Sequence, residues 1–361
     1  MSDAANSAGR SGSSVSRRAF IGGSAAVAGS MLLGGCSGGE PPAGAAPGAS
    51  PSSDSLQLTF LTILPPQSLT FAPELLADAG GHFANHGLDV RFELTRGSAQ
   101  AIQLVLAGRA PLTRISQIEG MRAAANRGAP LVNVAMVFKG STIRYVSSKA
   151  DPLLEPQDFV GKMIGIPSEG GSSELELDLF LAAAGVDRSS VRRQVVGLTP
   201  GVFNLVEQGR IAGYAVSIDT AKILESQQEN AVVLNPGEFI SSGGQFYMTS
   251  RAGLEQHREA IRRFVAGVRD ALEFMLNDTG FDRTLEILRS KYSFDGLNDT
   301  AIAKESLREY TNVWTAAGEE NVLLTVPERW LRGYEELVAA GLAEPGASPE
   351  EWFTNELIQP A

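Results

Sequence analysis

The sequence is poor in the residues from which metal and redox centres are built. It has one cysteine and three histidines in 361 residues. That is too few thiols for an intrachain disulfide, a cysteine-based zinc site or an iron–sulfur cluster. Cations are also in short supply: 30 Lys and Arg stand against 41 Asp and Glu, for a net charge of −11. Asp3 against Arg10, Arg17 and Arg18 puts the first 35 residues at +2, which leaves the remainder at −13. A nucleic-acid partner is therefore disfavoured, because phosphate binding needs clustered Lys and Arg. The mature chain holds no G-x-S-x-G, Walker A loop, H-E-x-x-H or post-strand G-x-G-x-x-G. Asp278-Thr279-Gly280 spells an aspartic-protease triplet, but once only and just after a predicted helix. His82 and His86 have helical metal-chelating spacing, yet they sit in a glycine-rich surface approach to a strand, so no metal is expected.

What is present begins with an export address. Residues 1–35 run from a polar segment closing on Ser16-Arg17-Arg18 into a Gly/Ala/Val-rich apolar stretch ending at Leu33. At about 15 residues that stretch is too short to span a bilayer and has the form of a twin-arginine signal peptide. Leu33-Gly34-Gly35-Cys36 resembles the lipobox of bacterial lipoproteins, in which the cysteine is lipidated and becomes the first mature residue. Residues 36–55 are nearly all Ser, Gly, Pro and Ala, too poor in apolar side chains to bury a core, and read as a flexible tether.

From Leu56 the pattern alternates strands and helices in two successive sets, which predicts βαβ units, a mainly parallel sheet in each, and two lobes. Leu56–Leu64, Leu88–Leu94, Leu112–Ser116 and Leu131–Val137 are the strands of the first set; Lys162–Ile166, Val191–Val196 and Ile211–Ser217 belong to the second. Ser173 with Glu176 three residues on has the form of a capping box. Past residue 250 strands stop. Ile261, Phe264, Val265, Val268, Leu272, Met275 and Leu276 recur at helical spacing, and further helices are predicted at 299–316, 327–340 and from Ser348. All three tryptophans, Trp314, Trp330 and Trp352, fall in this tail, where packing is the expected role.

Four segments in order resemble those of the solute-binding proteins of ABC importers, in the branch for nitrate, sulfonates, taurine and thiamine-pyrimidine precursors. They are Gly80–Val90, Ala107-Gly108-Arg109-Ala110, Asn126–Leu131 and Asp158–Ile166. Pro111 and Ala212 stand where the family often has Asp, which weakens any transfer of ligand identity. The resemblance implies an α/β fold of periplasmic-binding-protein type, with a ligand cleft between two lobes and a helical C-terminal tail. Lobe 1 is expected at 56–140 plus 240–361 and lobe 2 at 141–239.

Cleft ligands sit beyond the carboxyl ends of parallel strands, which selects the candidate residues. Gln67 and Ser68 follow the first strand and either donate to a ligand or make a turn. Arg114 lies in a strand covered on both faces, so its guanidinium must pair with a protein carboxylate or an anionic ligand. Ser116 ends that strand, and Ser141 follows the next, where a crossover is expected to begin. Ser168–Ser173 is a glycine-containing loop before a helix; within it Glu169, Gly170, Gly171 and Ser172 are candidates. Glu169 there favours a ligand with an amine or donor groups over a bare anion, unless it is simply a solvated acid. Ser217 and Asp219 occupy the matching place after the next strand, with Asp219 a helix cap or a ligand contact.

These readings predict an extracytoplasmic, monomeric receptor anchored to the membrane by lipid on Cys36, with no cofactor and no catalytic residues. It captures a small molecule (a sulfonate, nitrate, taurine, a pyrimidine type or another small organic compound) and delivers it to an ABC permease and ATPase. A ligand sensor for a signalling partner, or a tethered enzyme on the same fold, are the alternatives.

Overall fold

The structure is a computed structural model that describes residues 55–358. The signal peptide, Cys36 and the tether up to residue 54 lie outside the described residues. Ten strands form two five-stranded sheets. The first contains β1 (Leu56–Thr62), β2 (Leu88–Leu94), β3 (Leu112–Ser116), β4 (Leu131–Phe138) and β10 (Gln245–Ser250) in the order β2-β1-β3-β10-β4. The second contains β5 (Ile143–Ser148), β6 (Met163–Ile166), β7 (Arg192–Val195), β8 (Gly213–Ser217) and β9 (Ala231–Leu234) in the order β7-β6-β8-β5-β9. The two orders are the same pattern written twice.

Each sheet is mainly parallel, with four of its five strands running the same way and one reversed. β1 runs parallel to β2 and β3, and β6 parallel to β7 and β8, as helix crossovers require. β10 is antiparallel to β3 and β4, and β5 antiparallel to β8 and β9. The cause is connectivity: β5 and β10 are the strands on which the chain arrives after passing from one sheet to the other. No α-helix crossover precedes either of them to turn the chain round (only the 3-10 turn Pro236–Glu238 lies before β10), so they enter reversed. Local alternation of strand and helix carries no information about such a passage.

The two passages, residues 139–142 and 235–244, lie side by side. A Cβ on Gly243 would stand 2.7 Å from Ser141 Cα, so only glycine permits this approach. β3 and β4 are buried along their whole length, with helices on both faces.

The helical tail packs where its periodicity placed it. Arg251–Asn277 is one long helix with non-helical backbone at His257. It buries Ile261, Phe264, Val265, Val268, Leu272 and Met275 against the first sheet, with Phe264 against Phe60 and Tyr247. Helices Thr300–Trp314 and Pro327–Ala339 match the prediction, and Pro349–Trp352 forms a short 3-10 turn. Helix Asp282–Lys291 was not foreseen. It explains the Asp-Thr-Gly triplet, because Asp278 Oδ2 accepts from the Thr284 N–H at 2.8 Å and ties down the helix's first turn. Trp314 stacks with Phe138 and Tyr310, Trp330 meets Phe246 edge-on, and Trp352 meets Tyr334. All three therefore pack the tail. Among the described residues no helix is long and apolar enough to cross a membrane.

Candidate functional site

A cavity of about 350 Å³ opens where the parallel strands of both sheets end. Ile63–Pro65 beyond β1 and Arg114 in β3 contribute from the first sheet. Pro167 beyond β6, Leu198–Pro200 beyond β7 and Ser217 at the end of β8 contribute from the second. Because β10 is antiparallel, its beginning, Gln245, lies at the same edge. The walls are largely apolar, including Ile63, Leu64, Phe71, Ile143, Ile223 and Phe294.

Arg114 is 2% exposed and reaches the cavity edge with a carboxylate already on it. Its Nη1 donates to Glu74 Oε1 at 2.7 Å and to the Thr70 carbonyl at 2.9 Å. The guanidinium lies 4.0 Å from the Phe71 ring centroid. Tyr247, on the neighbouring strand, donates its hydroxyl to the same Glu74 oxygen at 2.8 Å. Burial, and then the Glu74 charge, hold the Tyr247 phenol well above its ordinary pKa, so it remains a donor. Of the two partners open to Arg114 in the sequence, the structure supplies the protein carboxylate.

Asp219 is 4% exposed and joins the two sheets across the cavity. It sits in the first turn of helix Ile218–Gln227, beyond β8. Its carboxylate accepts from Ser68 Oγ at 3.0 Å, the Leu69 N–H at 3.2 Å and the Tyr310 hydroxyl at 3.0 Å. All three donors belong to segments packed on the first sheet. Ser217, not Asp219, stands at the cap position, with its hydroxyl on Thr220 Oγ1. The same tail helix adds Glu309 to Lys222 and Arg144 of the second sheet's layer.

Of the residues singled out in the sequence, Gln67, Ser68, Arg114, Ser172, Ser217 and Asp219 line the cavity. Ser116, Ser141, Glu169, Gly170 and Gly171 do not line it. Ser116 caps helix Gln117–Arg127 in a reciprocal pair with Glu119, whose carboxylate also receives Ser172 Oγ at 2.8 Å. Ser141 gives its hydroxyl to Glu176 at the passage between sheets. Glu169 and Gly170 are exposed, and the Gly170 N–H is taken by Glu174. The predicted capping box on Ser173 does not form. The helix begins at Ser172, and Glu176 is buried on Ser141, with its pKa pushed up to about 7 by desolvation.

Thr142, Thr199 and Phe294–Gly296 line the cavity without having been singled out. Thr199 was accessible to the same rule as the others, since it follows a predicted strand. Phe294–Gly296 had no local signal. It comes from the tail by tertiary packing alone. His86 pairs with Asp270 at 2.7 Å, and His82 packs against the Phe274 ring.

Two like-patterned α/β sheets with a solute-sized cavity at the strand ends of both define a cleft-type solute-binding protein. The chain matches the family model NMT1/THI5 like over residues 68–279 and belongs to that family. Among curated proteins it is similar to the riboflavin-binding protein RibY of Chloroflexus aurantiacus, 26% identical over 323 residues, covering 88% of this chain and 90% of the relative. Among solved structures it is similar to the alkanesulfonate-binding protein SsuA from Xanthomonas axonopodis pv. citri bound to MOPS. There the TM-score is 0.65 at 14% identity, with 84% of this chain and all of the other covered. It is also similar to the nitrate-binding protein NrtA from Synechocystis PCC 6803, with TM-score 0.61 and 13% identity, covering 84% and 88%. The fold is thus that of periplasmic binding proteins, and the chain is a solute-binding protein of the nitrate, sulfonate and thiamine-precursor branch.

Proposed function

We propose that this chain is the lipid-anchored receptor of an ABC importer and that its solute is a neutral, ring-shaped organic molecule of flavin type. The observation that carries the choice of solute is the state of Arg114: Glu74 already neutralises the guanidinium at the cavity edge. The other charged lining groups are Asp219 and Asp295, both acidic. A sulfonate or nitrate entering this cavity would meet no uncommitted cation, whereas a neutral heterocycle would meet apolar walls and a few donors and acceptors. The printed name of RibY supports the same class. The cavity volume of about 350 Å³ is in the range of small-molecule sites.

Capture would proceed by hinge closure of a lobe formed by 56–140 plus 240–361 on a lobe formed by 141–239, about the paired passages at Ser141 and Gly243. Lipid on Cys36 and export through the twin-arginine signal would hold the receptor outside the cytoplasm, beside its permease and ATPase. Binding is the whole chemistry, and ATP is consumed by the partner.

Thermal unfolding against riboflavin, an aminopyrimidine, taurine, an alkanesulfonate and nitrate tests the reading. A ligand at about 1,000 times its Kd adds roughly 4 kcal/mol, a shift of several degrees. Riboflavin is expected to shift the curve and to be recovered unchanged. A shift by nitrate or the sulfonate alone would refute the solute class, and turnover of any ligand would refute the receptor.

A further inference from the structure

Beside the two passages lies a second, much smaller pocket of about 20 Å³, lined by Gln117, Lys139, Ser241, Thr325, Arg329 and Trp330 among others. We propose that it is a binding site for a single monatomic anion, chloride, separate from the solute cavity. The volume admits one water-sized species and no polyatomic oxyanion.

Lys139 is the first residue of the first passage and is 4% exposed. Its Nζ bonds the Met136 carbonyl, which leaves two ammonium protons. Among the described residues no carboxylate lies within 4.0 Å of Lys139 or Arg329, although both line the pocket. Arg329 Nη2 instead donates to the Lys139 carbonyl at 2.9 Å. Of the acids on the surrounding elements, Glu328 and Glu335 are exposed, and Glu336 and Glu119 are held by other donors. Glu336, on the helix that carries Arg329, accepts from the Ser241 N–H at 3.1 Å and from the Ser242 hydroxyl. Glu119, on the helix that carries Gln117, accepts from Ser116 and Ser172.

A buried cation without a counter-ion is costly, and here the nearest charge has the same sign. Desolvation and the Arg329 charge together push the Lys139 ammonium down to about 7, a measure of the missing negative charge. The remaining polar lining can donate through the Gln117 amide and the Thr325 hydroxyl, while the Ser241 hydroxyl is held by Glu336 at 3.3 Å. Helix Pro327–Ala339 begins at the same pocket with Val326 in the cap position and no side-chain cap. Its first free N–H groups add to the positive field. An anion here would touch the first passage through Lys139 and the tail through Arg329, beside Ser241 of the second passage, and so brace the hinge.

The test uses the full-length chain. Thermal unfolding at constant ionic strength, with chloride exchanged for gluconate, is expected to show a saturable rise of a few degrees over the millimolar range. Crystals soaked in bromide are expected to give an anomalous peak within hydrogen-bonding distance of Lys139 Nζ. Lys139→Met should abolish the chloride-dependent shift. If that variant fails to fold, Arg329→Gln, at a largely exposed side chain, should reduce the shift while riboflavin binding persists. No difference between chloride and gluconate in the unmodified protein would overturn the site. So would a bromide peak elsewhere, or one seen only at molar bromide.

Discussion

Replacing Glu74 by Gln removes one charge from a fully buried pair and leaves the shape almost unchanged. Glu74 is 0% exposed, Arg114 nearly so, and the two touch at 2.7 Å. The amide oxygen can still accept from Tyr247 or from Arg114, so what is lost is mainly the compensation of the guanidinium. Breaking a buried pair on one side costs about 3–5 kcal/mol, because the remaining charge is stranded away from water. For a domain of this size that corresponds to a fall in Tm of roughly 6–10 °C. Differential scanning calorimetry of Glu74→Gln measures it directly. Adding Arg114→Met should recover most of the loss, since a neutral pair strands no charge. The variant should also acquire what the parent lacks: stabilisation by an alkanesulfonate, which can now pair with the freed guanidinium at the cavity edge. A Glu74→Gln protein as stable as the parent, and still indifferent to sulfonate, would refute the argument that Glu74 decides which solutes enter.

Three other outcomes follow from the geometry. Asp219→Ala deletes the acceptor of three bonds between the sheets. It should cost about 2–4 kcal/mol in urea unfolding and raise the radius of gyration seen by solution scattering as the lobes separate. Glu176 titrates near 4.5 in the unfolded chain but near 7 when buried beside Ser141. The folded state therefore binds more protons between those values. Stability should fall as pH rises from about 4.5 to 7, by on the order of 3 kcal/mol, and Glu176→Gln should flatten that slope in a pH series of melts. Trp314→Ala, which empties a fully buried site against Phe138 and Tyr310, should cost about 3–5 kcal/mol by denaturant titration and leave the solute preference unchanged.

Element type was largely legible because it is a local property. Period-two runs such as Leu88–Leu94 formed strands, and the 3.6-period apolar stripe from Ile261 to Met275 formed the long helix. Six of the residues singled out, Gln67 and Asp219 among them, line the cavity. The strand-end rule could not say which polar side chains at strand ends were already engaged. Ser116 is taken by Glu119, a capping-box partner three residues on in the chain, whereas Ser141 is taken by Glu176 and Ser68 by Asp219, partners that only the fold brings.

The sequence by itself determined the alternation of elements and the set of strand ends at which a solute can sit. Both depend on neighbours a few residues apart. Only the tertiary structure decided that β5 and β10 run backwards, that Phe294–Gly296 closes the cavity from the tail, and that Arg114 is neutralised. Glu74 lies 40 residues from Arg114 and Tyr247 lies 173 from Glu74. Charge compensation in a core depends on distance in space, and no local pattern in the chain records it.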